Sequence, residues 1–198
     1  MLTALDVAIL PPAHVSRHAI ELSASLPESE SLGLRLGDDR LPHITLTQQF
    51  IETVDVDIAL DQVASVLAGV EPLHLSVTGP GRGQSAVWMA LEPTPPLFEL
   101  HRRLMAILEP LERSAGTAAA FVDGDARAGD LVWVGDFRRS SGLTAFRPHI
   151  TLGHSVTLPS VERLSFTATT IAACHLGKFC TCRRVLRRWE LESPMPGA

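Results

Sequence analysis

Pro42-His43-Ile44-Thr45-Leu46 and Pro148-His149-Ile150-Thr151-Leu152 are the same five-residue word, written twice in one chain of 198 residues. In a β-strand, residues i and i+2 point to one face and the residues between them to the other. Each copy therefore presents an imidazole and a hydroxyl on one side. Ile44 with Leu46, and Ile150 with Leu152, point to the opposite side, into a core. One such word reads most simply as a strand with a polar face. Two copies on matching elements predict two half-sites facing a single substrate.

Outward from the two words, the chain mixes strands and helices. Leu5 to Leu10 is a short apolar run stopped by Pro11-Pro12, a strand. His14 to Leu26 and Val56 to Leu67 carry apolar residues at helical spacing, and so does Pro95 to Leu111, where Pro95 and Pro96 suit a first turn. Strands are expected over Leu41 to Ile51, Leu73 to Thr78, Ser85 to Leu91, Leu131 to Val134 and Ala145 to Leu152. Two long strand-like runs follow, Leu164 to Leu176 and Phe179 to Leu191, with Gly177-Lys178 as the turn between them. Ala115 to Asp130 is small, Gly-rich and without a clear period. The order is α+β with hairpins, not a regular βαβ alternation. A helix precedes each repeat and a hairpin follows it later, as an old duplication would leave them.

Hydrophobic residues make up 45% of the chain, enough to bury an interior, and 198 residues suit one domain or two small lobes on a shared core. The formal charge of −5 is wrong for gripping long nucleic acid by counterion release. It leaves room for a small nucleotide or an RNA end in a local basic cleft. Three cysteines, Cys174, Cys180 and Cys182, are an odd count, which with an N-terminus lacking a basic leader points to a reduced, cytoplasmic protein. No apolar stretch approaches the length of a membrane span.

The pattern His-hydrophobic-Thr-hydrophobic, occurring twice and far apart, resembles the 2H phosphoesterase superfamily. Within it, Phe146-Arg147-Pro148-His149-Ile150-Thr151-Leu152-Gly153 is similar to the wording of the 2′–5′ RNA ligase-like, RNA 2′,3′-cyclic phosphodiesterase branch. The resemblance implies a bilobal, pseudo-two-fold α+β fold, with two antiparallel sheets, flanking helices and a central cleft. It implies one motif per half, at 43–46 and 149–152, in a single domain over 1–192 followed by a flexible tail over 193–198. Many relatives carry an arginine shortly after the second motif; here Gly153-His154 stands in its place. His154 is then the substitute donor, or the substrate differs.

The chemistry follows from the residues. Opening a cyclic phosphodiester needs a base to take a proton from water and an acid to protonate the departing sugar oxygen. Histidine suits both, because its ordinary pKa of about 6.5 lies near working pH. His43 and His149 are the predicted catalytic pair, and Thr45 and Thr151 the predicted donors to the phosphate oxygens. No metal or cofactor is required. The expected activity is a metal-independent phosphodiesterase acting on 2′,3′-cyclic phosphates of RNA ends or nucleotides. The alternatives are another 2H activity (2′–5′ linkage hydrolysis or ligation, or ADP-ribose 1″,2″-cyclic phosphate hydrolysis) and a nucleotide-binding protein without turnover.

Other features carry less. Cys174, Cys180 and Cys182 match no usual zinc spacing and read as thiols on a hairpin. Arg183, Arg184, Arg187 and Arg188 read as charge guarding a sheet edge. The Gly79-Pro80-Gly81-Arg82-Gly83 loop lacks the G-K-[ST] of a P-loop and reads as a turn, with Arg82 a possible cleft contact. Arg147 is a second possible contact. Phe50 and Phe146 flank the words and read as core before base-stacking platforms. His14, His18, His74, His101 and His175 show no partner pattern and read as surface or internally satisfied histidines.

Overall fold

Both repeated words lie at sheet edges in the computed structural model, which describes residues 1–192. The tail expected over 193–198 lies outside the described residues. In chain order the elements begin with β1 (Leu2–Leu10), α1 (Ala13–Ser25), β2 (Ile44–Glu52) and α2 (Val56–Leu67). Next come β3 (Leu73–Arg82), β4 (Ala86–Leu91), α3 (Pro95–Leu108) and α4 (Ala128–Ser140). β5 (His149–His154), β6 (Leu164–Ala168), β7 (Thr170–Gly177) and β8 (Thr181–Glu190) complete the fold. They form two four-stranded antiparallel sheets, ordered β2-β1-β7-β8 and β5-β4-β3-β6. The class is α+β, as expected.

The two sheets share one interior. Ile44 and Leu46 from the first word, and Ile150 and Leu152 from the second, are fully buried in the same apolar cluster. Val7 and Ile9 join it from β1, Met89 from β4, and Val15 and Ala19 from α1. The helices cross-link the halves: α1 packs on β5, whereas α3 and α4 pack on β2. Gly153, at φ +151°, faces the residue that ends α1; a Cβ there would lie 2.9 Å from Leu26 Cδ1.

Several expectations are corrected. Leu131 to Val134 is not a strand but part of α4. A short apolar run does not separate strand from helix by itself. What decides is the start signal upstream, where Asp130 Oδ2 accepts the Arg127 backbone N–H at 2.9 Å, together with burial of Val134 and Phe137 three residues apart. The run Leu164 to Leu176 is two strands, broken at Thr169. β6 pairs with β3 in one sheet and β7 pairs with β1 and β8 in the other. The helix expected to Leu111 ends at Leu108, and a 3₁₀ turn over Glu109–Leu111 carries Pro110, which cannot continue the α pattern. The turn between β7 and β8 is also longer than Gly177-Lys178: it spans Lys178–Cys180, with Phe179 and Cys180 at positive φ.

His101, on α3, ties the approaches of the two words together. It is fully buried. Its Nδ1–H donates to the Leu46 carbonyl at 2.6 Å, and its Nε2 accepts the Leu143 backbone N–H at 2.8 Å. Its ring stacks on Phe146, 4.0 Å away and nearly parallel. The two bonds fix one neutral tautomer. Burial, with Arg138 nearby, lowers its pKa below the ordinary histidine value, against the bond to Leu46. The folded state therefore binds fewer protons here than the unfolded chain, and stability from this group falls as pH drops below about 6.5. His101→Ala is expected to cost about 3 kcal/mol in urea unfolding at pH 7.5, through the cavity and the orphaned Leu46 carbonyl.

Candidate active site

Both words carry the same local irregularity. Thr45 pairs with Ala8 and Thr47 with Val7, so Leu46 is an extra residue in β2, a β-bulge. Thr151 pairs with Trp88 and Gly153 with Val87, so Leu152 is the extra residue in β5. A bulge inverts strand parity, and each threonine then shares a face with the residue three positions later. Thr45 is aligned with Gln48, and Thr151 with His154. The partner strands correspond in the same way: Ala8 answers Trp88, and Asp6, opposite Gln48, answers Ala86, opposite His154.

The two histidines are anchored alike. His43 Nδ1 bonds the Leu41 carbonyl at 2.8 Å, and His149 Nδ1 bonds the Arg147 carbonyl at 2.7 Å. Each ring thus donates from Nδ1 to its own chain two residues back, leaving Nε2 as the reactive nitrogen. His43 leads into edge strand β2 and His149 opens edge strand β5, and the two strands are in contact. Desolvation lowers the pKa of His149, the Arg147 carbonyl opposes this, and the charge of His43 lowers it further.

Beyond the histidines the halves differ. In the first, Asp6 is completely buried, and its Oδ2 accepts Thr45 Oγ1–H at 2.9 Å and Gln48 Nε2–H at 2.6 Å. The same oxygen lies 3.7 Å from His43 Nε2. Burial raises the Asp6 pKa, while His43, Gln48 and Thr45 pull it back. The hydroxyl proton of Thr45 points to this carboxylate. In the second half Ala86 leaves no such acceptor, and the Trp88 ring packs 4.8 Å from His149.

His154 is buried, bonded through Nδ1 to Ser85 Oγ at 3.0 Å, with Phe179 5.5 Å from its ring. Arg127 lies over the other ring, 3.9 Å from the Phe179 centroid. Asp130 holds both: it pairs with the Arg127 guanidinium at 2.6 Å and accepts the Phe179 backbone N–H at 2.9 Å. Desolvation, then Arg127, lowers the His154 pKa, and Asp130 opposes. A guanidinium thus stands beside the position after the second motif where sequence offered only His154.

The other expected contacts are engaged elsewhere. Arg82 bonds the Ser155 and Val156 carbonyls, and Arg147 those of Thr144 and Phe146. Arg183 pairs with Asp39 and Arg187 with Asp61, charge on the edge strand β8. Phe50 is fully buried against Phe121, and Phe146 is buried on His101. Asp6, Gln48, Trp88, Arg127, Asp130 and Phe179 were not singled out from sequence as site residues. Only Asp6 left a signal, as the one charge inside an otherwise apolar first strand.

A model of the 2′-5′ RNA ligase superfamily matches residues 11–168. Among solved structures the chain is similar to E. coli LigT complexed with NADP+, with 20% identity, TM-score 0.63, and 98% of this chain and 100% of that one covered. It is also similar to a structure described as a phosphoesterase, with 20% identity, TM-score 0.62, and coverage of 96% and 99%. A third is TT0787 of Thermus thermophilus, with 17% identity, TM-score 0.61, and coverage of 98% and 100%. A search of curated proteins finds no match.

Asp6→Asn keeps the shape and removes the buried charge. Because burial raises the Asp6 pKa, the carboxylate penalises folding at pH values above its titration and not below it. Asp6→Asn is expected to gain on the wild type in unfolding free energy as pH rises from 4 to 7. A gap that closes over that range would contradict the burial penalty.

Proposed function

The chain belongs to the 2′-5′ RNA ligase superfamily, and on that premise we propose that it opens 2′,3′-cyclic phosphates on RNA ends or nucleotides. The observation that carries this reading is the pair of identically tethered histidines, each with Nδ1 held and Nε2 left for chemistry. Related folds support a phosphate-bearing ligand: E. coli LigT has been solved with phosphate, 3′-AMP, ATP and NADP+. In the described residues no helix is long and apolar enough to cross a membrane. The three cysteines are free thiols, which supports a reducing, cytoplasmic setting.

His149, with its lowered pKa, is neutral at working pH and is the base. It takes a proton from water as the water oxygen attacks phosphorus. The bond from phosphorus to one ribose oxygen breaks, and His43 gives its proton to that oxygen. A phosphomonoester and a free hydroxyl result, and no metal takes part. Thr151 Oγ1–H donates to a non-bridging oxygen, where charge grows in the transition state. Thr45 can turn its proton to the phosphate when Asp6 is protonated, a state its burial favours. Arg127, stacked on Phe179, adds positive charge on the His154 side.

The test is hydrolysis of a panel of 2′,3′-cyclic nucleotides and 2′–5′-linked dinucleotides in EDTA. Turnover of the cyclic substrates is expected to survive EDTA, and His43→Ala and His149→Ala each to lose on the order of 10²–10⁴-fold in kcat. The kcat/KM profile should be bell-shaped, its acid limb below pH 6.5 because His149 must lose its proton. A metal requirement, or full activity in either alanine variant, would defeat the proposal.

A further inference from the structure

We propose that Asp6, His43 and Cys182 form a zinc-binding site whose occupation shuts the reaction down. One ligand atom from each, a carboxylate oxygen, an imidazole nitrogen and a thiol sulfur, lie within 4.8 Å of one another. The Asp6 Oδ2 to His43 Nε2 separation of 3.7 Å is close to a tetrahedral edge around zinc, for which bonds of about 2.0–2.2 Å to nitrogen and oxygen give roughly 3.4 Å. The mixed oxygen, nitrogen and sulfur set suits Zn²⁺ over hard cations such as Mg²⁺ or Ca²⁺.

A second observation points to a missing ligand. Asp6 is fully buried, yet among the described residues its Oδ1 has no hydrogen-bond partner. An unpaired carboxylate oxygen in an apolar interior costs free energy that a cation would recover. The surroundings are small: Ala8, Ala172, Cys174 and Cys182 form one buried cluster, with Cys174 directly opposite Asp6 across the β1–β7 pairing. Cys182 reaches this cluster because Arg183 is an extra residue in β8, where Leu176 pairs with Cys182 and His175 with Arg184.

Metal binding exchanges protons for the ion. The Cys182 thiol, kept protonated by burial, gives its proton to solvent as sulfur bonds the metal. Any proton on His43 Nε2 or on Asp6 likewise passes to solvent as Nε2 gives its lone pair and Asp6 a carboxylate oxygen to the metal. Nε2 then has no lone pair left to carry the proton that the leaving ribose oxygen needs. The blockade rests on the proposed two-histidine reaction; the site itself rests only on the cluster.

The experiment uses the whole chain and two probes, Co²⁺ alone and Zn²⁺ with 2′,3′-cyclic AMP. Co²⁺ is expected to give a thiolate-to-metal charge-transfer band in wild type and none in Cys182→Ala. Zn²⁺ is expected to inhibit wild type reversibly, EDTA restoring the rate. Cys182→Ala should keep its basal rate and need at least about tenfold more Zn²⁺ for half-inhibition. Cys182→Ser, checked for native circular dichroism, replaces it if the alanine variant does not fold. No band, or a band that persists without Cys182, overturns the site. A Cys182-dependent band with no inhibition of an active enzyme overturns the blockade. If no cyclic substrate turns over, the band still reports the site, and the failure belongs to the proposed function.

Discussion

Strand parity is the constraint on which the molecule rests. Ile44, Leu46, Ile150 and Leu152 are anchored in one interior shared by both sheets. Because they are, His43, Thr45, His149 and Thr151 must face the opposite way. Slipping either strand by one residue would put two isoleucine or leucine side chains on the face that now carries the imidazole, and the imidazole in the core. The hydrophobic effect thus aims the reactive groups, and short bonds to Leu41 and Arg147 carbonyls only trim their rotation. Each bulge adds what parity alone forbids, a third position on the same face three residues after the threonine.

The sequence made legible what depends on short range. The two words, their inward and outward faces and the amphipathic helices are read from neighbouring residues, and the structure places them so. The break at Thr169 was not legible, because residues on both sides favour strands and only their different partners separate them. The bulges at Leu46 and Leu152 were not legible either, since a bulge is defined by the strand opposite. Arg127 lies in a segment without period, and its place over Phe179 depends on Asp130 and on a turn from the far end of the chain. His101 looked like any unassigned histidine. Its role appears only when a bulged carbonyl needs a donor.

The halves are similar in backbone and unlike in chemistry. Where the first has Ala8 and Asp6, the second has Trp88 and Ala86. Where the first has Gln48, the second has His154. The backbone correspondence is close enough that both histidines keep the same tether. The side chains on the partner strands then divide the work: one imidazole sits above a carboxylate, the other against an indole.

That inequality has a directional consequence. A site built from two equal halves would hold an asymmetric ligand in either of two opposed senses at the same free energy, and half of all encounters would begin the wrong way round. The buried Asp6 in one half and Ala86 at the matching position of the other lift this degeneracy. A difference of about 1.4 kcal/mol is enough for tenfold discrimination between the two senses. Asp6 in one half and Ala86 at the matching position of the other are enough to give the arrangement a head and a tail.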